Sequence, residues 1–98
     1  MKKKSLDYQS NVSGIKQADY YPNGVQTIYD FMHAKMLRIR SILAKTKAGE
    51  AVQFESLEDS FKDLANYASF ACTWSRGQMD GQGAVDLFNR PLVAKSKT

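Results

Sequence analysis

Two cations and two carboxylates on neighbouring helical stretches bring chemistry within reach of this chain. Lys35 and Arg38 lie on the first stretch, Asp59 and Asp63 on the second. At 100° per residue, Leu57, Phe61, Leu64, Tyr67, Ala68, Ala71 and Trp74 form one broad apolar face, and Asp63 falls inside it, between Phe70 and Trp74. Asp59 lies one turn earlier on the same border. A carboxylate among aromatics is costly unless a cation, a metal ion or a ligand pairs with it. On the preceding helix Lys35 projects into the apolar arc between Ile28 and Ile42, and Arg38 sits just off its edge near Phe31. In an antiparallel hairpin these groups can meet. The cations then have two uses: a register-fixing ion pair with Asp63, or capture of a phosphate, with Arg38 binding bidentately and Lys35 acting as a point charge. Tyr20, Tyr21, Tyr67 and Trp74 offer stacking platforms for a base, or ordinary core packing.

Other chemistries are limited by count. Cys72 is the one cysteine and His33 the one histidine, so neither an internal disulfide nor a histidine–cysteine zinc site can form. Cys72 projects onto the apolar face and is expected to be buried as a small hydrophobe. His33 projects to the polar side and is expected to be solvated. Met1-Lys-Lys-Lys is followed by no apolar run, which argues against a signal peptide or a membrane span and for the cytoplasm. The net charge of +4 is modest, and much of it lies at Lys2, Lys3, Lys4, Lys95 and Lys97. The helices alternate sign, which does not favour a nucleic-acid partner.

The elements that must position these groups follow from periodicity. Val25, Ile28, Met32, Met36, Ile39 and Leu43 recur at spacings of 3 and 4, predicting a helix from Val25 to Lys45 or Lys47 that Gly49 breaks. Tyr21-Pro22-Asn23-Gly24 reads as a turn, with Asn23 as the helix cap and Gln26 its reciprocal partner. The linker through Gln53 is short, so the helices should pack antiparallel. Ser56 with Asp59 reads as a capping box opening the second helix, and Ala84 to Asn89 as one more helical turn. The expected organisation is a flexible basic N-terminus over 1–13, a helical domain over 14–76, and a glycine-broken segment with a basic tail over 77–98. The fold class is all-α: an antiparallel hairpin with a short N-terminal arm (14–20). With 98 residues and 43% hydrophobic content, two helices cannot enclose a large core alone, and a homo-oligomer is expected. Phe70 and Trp74 project near the edge of the apolar face, where a neighbour would cover them.

Lys16-Gln-Ala-Asp19-Tyr20, then Lys35-x-x-Arg38, then Glu55-Ser-Leu-Glu-Asp59-x-x-x-Asp63-Leu-Ala-Asn-Tyr67-Ala resembles the nucleotide-modification-associated domain of phage proteins. The resemblance runs over about residues 16 to 70, and its Glu55–Ala68 segment is the specific part. That domain looks like a reduced relative of the MazG-like all-α nucleoside triphosphate pyrophosphohydrolases, in which four carboxylates on two helices hold magnesium. By position Asp59 matches a metal-binding aspartate. Glu55 stands one residue off its partner's place, and Lys35 and Arg38 replace the first acidic pair. The resemblance therefore implies a phosphorylated nucleotide, possibly cyclic, bound between subunits by Lys35, Arg38, Tyr20, Tyr21, Asp63 and Tyr67 without a cofactor. Its phage setting implies sequestration of a host nucleotide signal, an anti-defence role. Two alternatives stay open: a Mg2+-dependent pyrophosphohydrolase using Glu55, Glu58, Asp59 and Asp63, with Glu55 and Asp59 on the metal, and a small nucleic-acid-binding structural protein.

Overall fold

A computed structural model describes residues 14–92, so the lysines of both chain ends, and the expected flexible stretch over 1–13, lie outside the described residues. Two long helices, α1 (Val25–Lys47) and α2 (Phe54–Ser75), pack against each other as an antiparallel hairpin. A single 3-10 turn, Gln17–Tyr20, precedes them. The Lys16 amide donates to the Asp19 carboxylate at 2.8 Å, which closes that turn. Among the described residues the one β-type pairing is an isolated antiparallel bridge between Val85 and Pro91. No described helix is long and apolar enough to cross a membrane.

The turn into α1 differs from the expected cap. Gly24, not Asn23, is the residue before the helix, and no side chain caps it. Gly24 has φ +61°, and a Cβ there would collide with the Leu87 carbonyl and come within 2.9 Å of the Trp74 indole. The first amide of α1 finds its acceptor far away in sequence: Val25 N–H donates to Leu87 O at 2.8 Å. Gln26 bonds forward to Asp30 at 3.0 Å, and the Asn23 amide donates to Thr27 Oγ1 at 2.9 Å. At the other end Gly49, at φ +100°, lets its amide reach Thr46 O at 3.0 Å while Glu50 N–H reaches Lys45 O at 3.0 Å. This is a Schellman closure, and it turns the chain back sharply.

The Ser56–Asp59 capping box does not form. α2 begins at Phe54 behind Gln53, so Ser56 is already inside the helix and its carbonyl accepts a bond from Ser60 Oγ at 2.9 Å. Asp59 is exposed. Nor do residues 84–89 form a helical turn. Asp86 takes the amides of Phe88 and Arg90, each at 2.9 Å, and Arg90 Nε at 2.7 Å. A side chain that captures local amides this way competes directly with the helical ladder.

The core sits at the open end of the hairpin, where the segment after α2 folds back onto the 3-10 turn. Ala18, Tyr21, Ile28, Trp74 and Met79 are buried together, with Val25, Met32, Tyr67, Phe70, Ala71 and Val85 packed around them. Trp74 is at the centre of this cluster, not at its edge. It is 1% exposed, its indole N–H donates to Leu87 O at 2.9 Å, and its carbonyl accepts from Gln82 Nε2 at 3.0 Å. A two-helix projection misplaces it because a third layer, residues 79–87, covers its outer side. Ala18 N–H donates to Asp80 O at 2.9 Å, tying the same layer to the N-terminal turn.

Candidate functional site

The partner sought by Asp63 is Lys35: their Nζ and Oδ2 atoms lie 2.9 Å apart across the hairpin seam. The two side chains are 31% and 43% exposed, so water reaches the pair, and its strength is that of a surface ion pair. One turn toward the core, Phe31 and Tyr67 face each other in the same way, with ring centroids 5.4 Å apart. Phe31 precedes Lys35 by four residues and Tyr67 follows Asp63 by four, so the aromatic pair and the ion pair are successive rungs of one ladder. Tyr21 backs the aromatic rung, 6.2 Å from Phe31 and 6.3 Å from Phe70, and Phe70 meets Tyr67 at 6.2 Å.

The ligand residues expected from sequence divide into two groups. Lys35, Asp63 and Tyr67 are brought together, and exposed Arg38 lies one turn beyond Lys35 with no ion-pair partner among the described residues. Tyr20 is exposed at the end of the 3-10 turn. Tyr21 is placed otherwise: it is 3% exposed, its hydroxyl accepts from Gln17 Nε2 at 2.9 Å, and burial holds its pKa above the usual phenol value. Its ring therefore supports the site from behind, and no ligand can stack on it. Trp74 is closed off by the same core. The ring that sequence reasoning passed over is Phe31, still 39% exposed beside the cations. Its one trace in the sequence is a spacing of four from Lys35, which by itself does not mark a site.

The candidate metal residues are placed less favourably. Glu55 and Asp59 are both exposed, one turn apart on α2. Stepping along the ladder sets Asp59 level with Ile39 and Glu55 level with Leu43, so α1 presents no carboxylate to them. Among the described residues no group of three or more His, Cys, Asp or Glu side chains converges. Octahedral magnesium wants oxygen ligands at about 2.1 Å on several sides, and this donor set does not fit it.

Two other expectations resolve differently. His33 is exposed as expected, and stacks on Tyr29 with centroids 6.4 Å apart. Cys72 is exposed rather than buried, because the apolar arc of α2 is wider than its contact with α1 and Cys72 lies on the outer flank.

What the seam offers is an ammonium already engaged by one carboxylate, an exposed guanidinium one turn on, and an open aromatic ring one turn back. An incoming phosphate can exchange with the Asp63 carboxylate at Lys35 while Arg38 takes a second oxygen. The ring next to them suits a flat heterocycle.

In comparison with known proteins, no curated protein and no solved structure matches this chain. The profile of one family does, over residues 16–73, a span that holds every residue of the ladder and most of both helices. The chain belongs to the nucleotide modification associated domain 1 family.

Proposed function

We propose that this protein binds a phosphorylated nucleotide, cyclic or linear, on the Lys35 side of the hairpin, in a pocket that a neighbouring subunit completes. The observation that carries this reading is the ladder itself: Phe31 against Tyr67, Lys35 against Asp63, then Arg38, without an ion-pair partner among the described residues. In this reading Lys35 and Arg38 hold the phosphate, Phe31 and Tyr67 flank the base, and exposed Tyr20 closes over it. Asp63 keeps Lys35 extended until the ligand arrives. The kinship with MazG-like pyrophosphohydrolases is part of the proposal, with the cations standing where such enzymes carry acids. Binding without turnover suits a protein that sequesters a nucleotide signal, and the phage setting gives such sequestration a target in host defence. The alternative of a magnesium-dependent hydrolase would have to complete, with donors from elsewhere, a site of which Glu55 and Asp59 supply only two ligands, one turn apart and open to solvent.

Isothermal titration with linear and cyclic nucleotides in EDTA, beside a pyrophosphate-release assay in magnesium, tests the proposal. Binding that persists in EDTA, with ligand recovered intact, is the expected result. Affinity that vanishes without magnesium, together with pyrophosphate release, would replace it by the hydrolase reading.

A further inference from the structure

The side of the hairpin away from the ladder is apolar and uncovered. On α1, Tyr29, Met36, Leu37 and Leu43 are 60%, 55%, 47% and 44% exposed; on α2, Phe54 and Phe61 are 73% and 50% exposed. Three grooves of about 590, 710 and 400 Å³ run into one another along this face, sharing Ala65 between the first two and Met36 and Arg40 between the last two. With roughly 100 Å² left open on each large side chain, the patch amounts to about 600 Å². That is large for a monomer and close to the roughly 800 Å² that one partner contributes to a standard interface. Ala65 and Ala68 in its middle are small enough to let another helix approach closely.

The charges at its rim say what covers it. The two rungs of the ladder set the register: a step of four along α1 matches a step of four back along α2. Arg40 is therefore level with Glu58, and Leu37 with Phe61. Arg40 and Glu58 border the grooves, and neither has an ion-pair partner among the described residues. We infer that this face is covered by a second copy of the chain, related by a twofold axis parallel to the helices, so that α1 of each copy lies antiparallel on α2 of the other. That operation preserves height. It sets Arg40 of one copy beside Glu58 of the second copy, twice, and Leu37 beside Phe61. The product is a four-helix bundle with neighbouring helices antiparallel throughout. The same operation leaves both Lys35 ladders facing outward, on opposite sides of the bundle, so a pocket completed by another subunit there requires a separate contact. The pairing goes beyond the nucleotide reading and does not depend on it.

Sedimentation velocity of the full chain without nucleotide tests the pairing. The parent is expected to self-associate at micromolar concentration. Phe61→Glu should weaken association at least a hundredfold while leaving the helical circular dichroism intact, since Phe61 lies outside the buried cluster. Arg40→Glu and Glu58→Arg should each weaken it about tenfold, and the two together should restore it. A parent that stays at 11.0 kDa at all concentrations overturns the inference. So does an assembly indifferent to Phe61→Glu, or a double reversal that recovers nothing. Nucleotide titration of the Phe61→Glu variant is a separate readout: loss of ligand binding there bears on the Lys35 site and leaves the pairing untouched.

Discussion

Replacing Asp63 by Asn separates what the ion pair does for the fold from what it does at the ligand site. A fully buried pair broken in this way costs about 3–5 kcal/mol, because a charge is left stranded. Here the partners are 31% and 43% exposed, so Lys35 is rehydrated when its carboxylate is lost, and the cost falls to about 0.2–1 kcal/mol. In a domain of this size that lowers the melting temperature by at most about 4–8 °C. The effect on a phosphate ligand has the opposite sign. The ligand no longer has to displace a carboxylate worth about 0.2–1 kcal/mol, and it escapes repulsion of about 0.7 kcal/mol from a charge about 6 Å away in water. Together these tighten binding by about four- to twentyfold at low salt. The gain shrinks as ionic strength rises and the Debye length contracts. Paired thermal melts and calorimetric titrations at about 20 and 200 mM salt measure both effects. A loss of more than about 15 °C would show that the pair carries the hairpin. Weakened binding would show that Asp63 contacts the ligand directly.

Arg38→Ala should leave the helical spectrum unchanged and weaken nucleotide binding by about 2–4 kcal/mol if a bidentate phosphate contact is lost, as titration would measure. Unaltered affinity would move the phosphate site elsewhere. Trp74→Phe removes the donor to Leu87 O and leaves a hole beside Gly24, so denaturant melts should show a loss of about 1–3 kcal/mol. For Tyr21, burial raises the pKa above the ordinary phenol value of 10.0, so its contribution to stability is complete below pH 10.0 and is lost as pH rises through the higher folded value. Melts between about pH 8 and 11 should show that decline, and Tyr21→Phe should remove it.

The hairpin was legible because Ile28, Ile39 and Ile42 fall on one stripe of α1, and the same projection put Lys35 and Asp63 where they meet. Helical periodicity reports facing directions, so any group on the seam is visible to it. It says nothing of a third layer. The covering of Trp74, the burial of Tyr21 and the cap on Val25 all depend on residues 79–87, whose fold is set by Asp86 and Gln82 side chains bonding to backbone. Such bonds leave no period in the sequence. Width misleads in the other direction: the apolar arc of α2 projects as one face, yet it spans the seam and the open outer groove, which is why Cys72 is exposed. Phe31 was overlooked because one aromatic residue on a helix edge carries little signal until its neighbour across the seam is known.

Leu87 O serves two donors, the first amide of α1 and the indole near the end of α2, so one carbonyl latches the open end of the hairpin. The Gly49 end is closed by the chain itself, whereas the other end stays shut only while the segment after α2 folds back over Trp74. The two ends should tolerate engineering very differently. A peptide tag inserted between Lys47 and Phe54 lengthens a surface bend, whereas the same tag between Ser75 and Leu87 keeps the latch from reaching its seat.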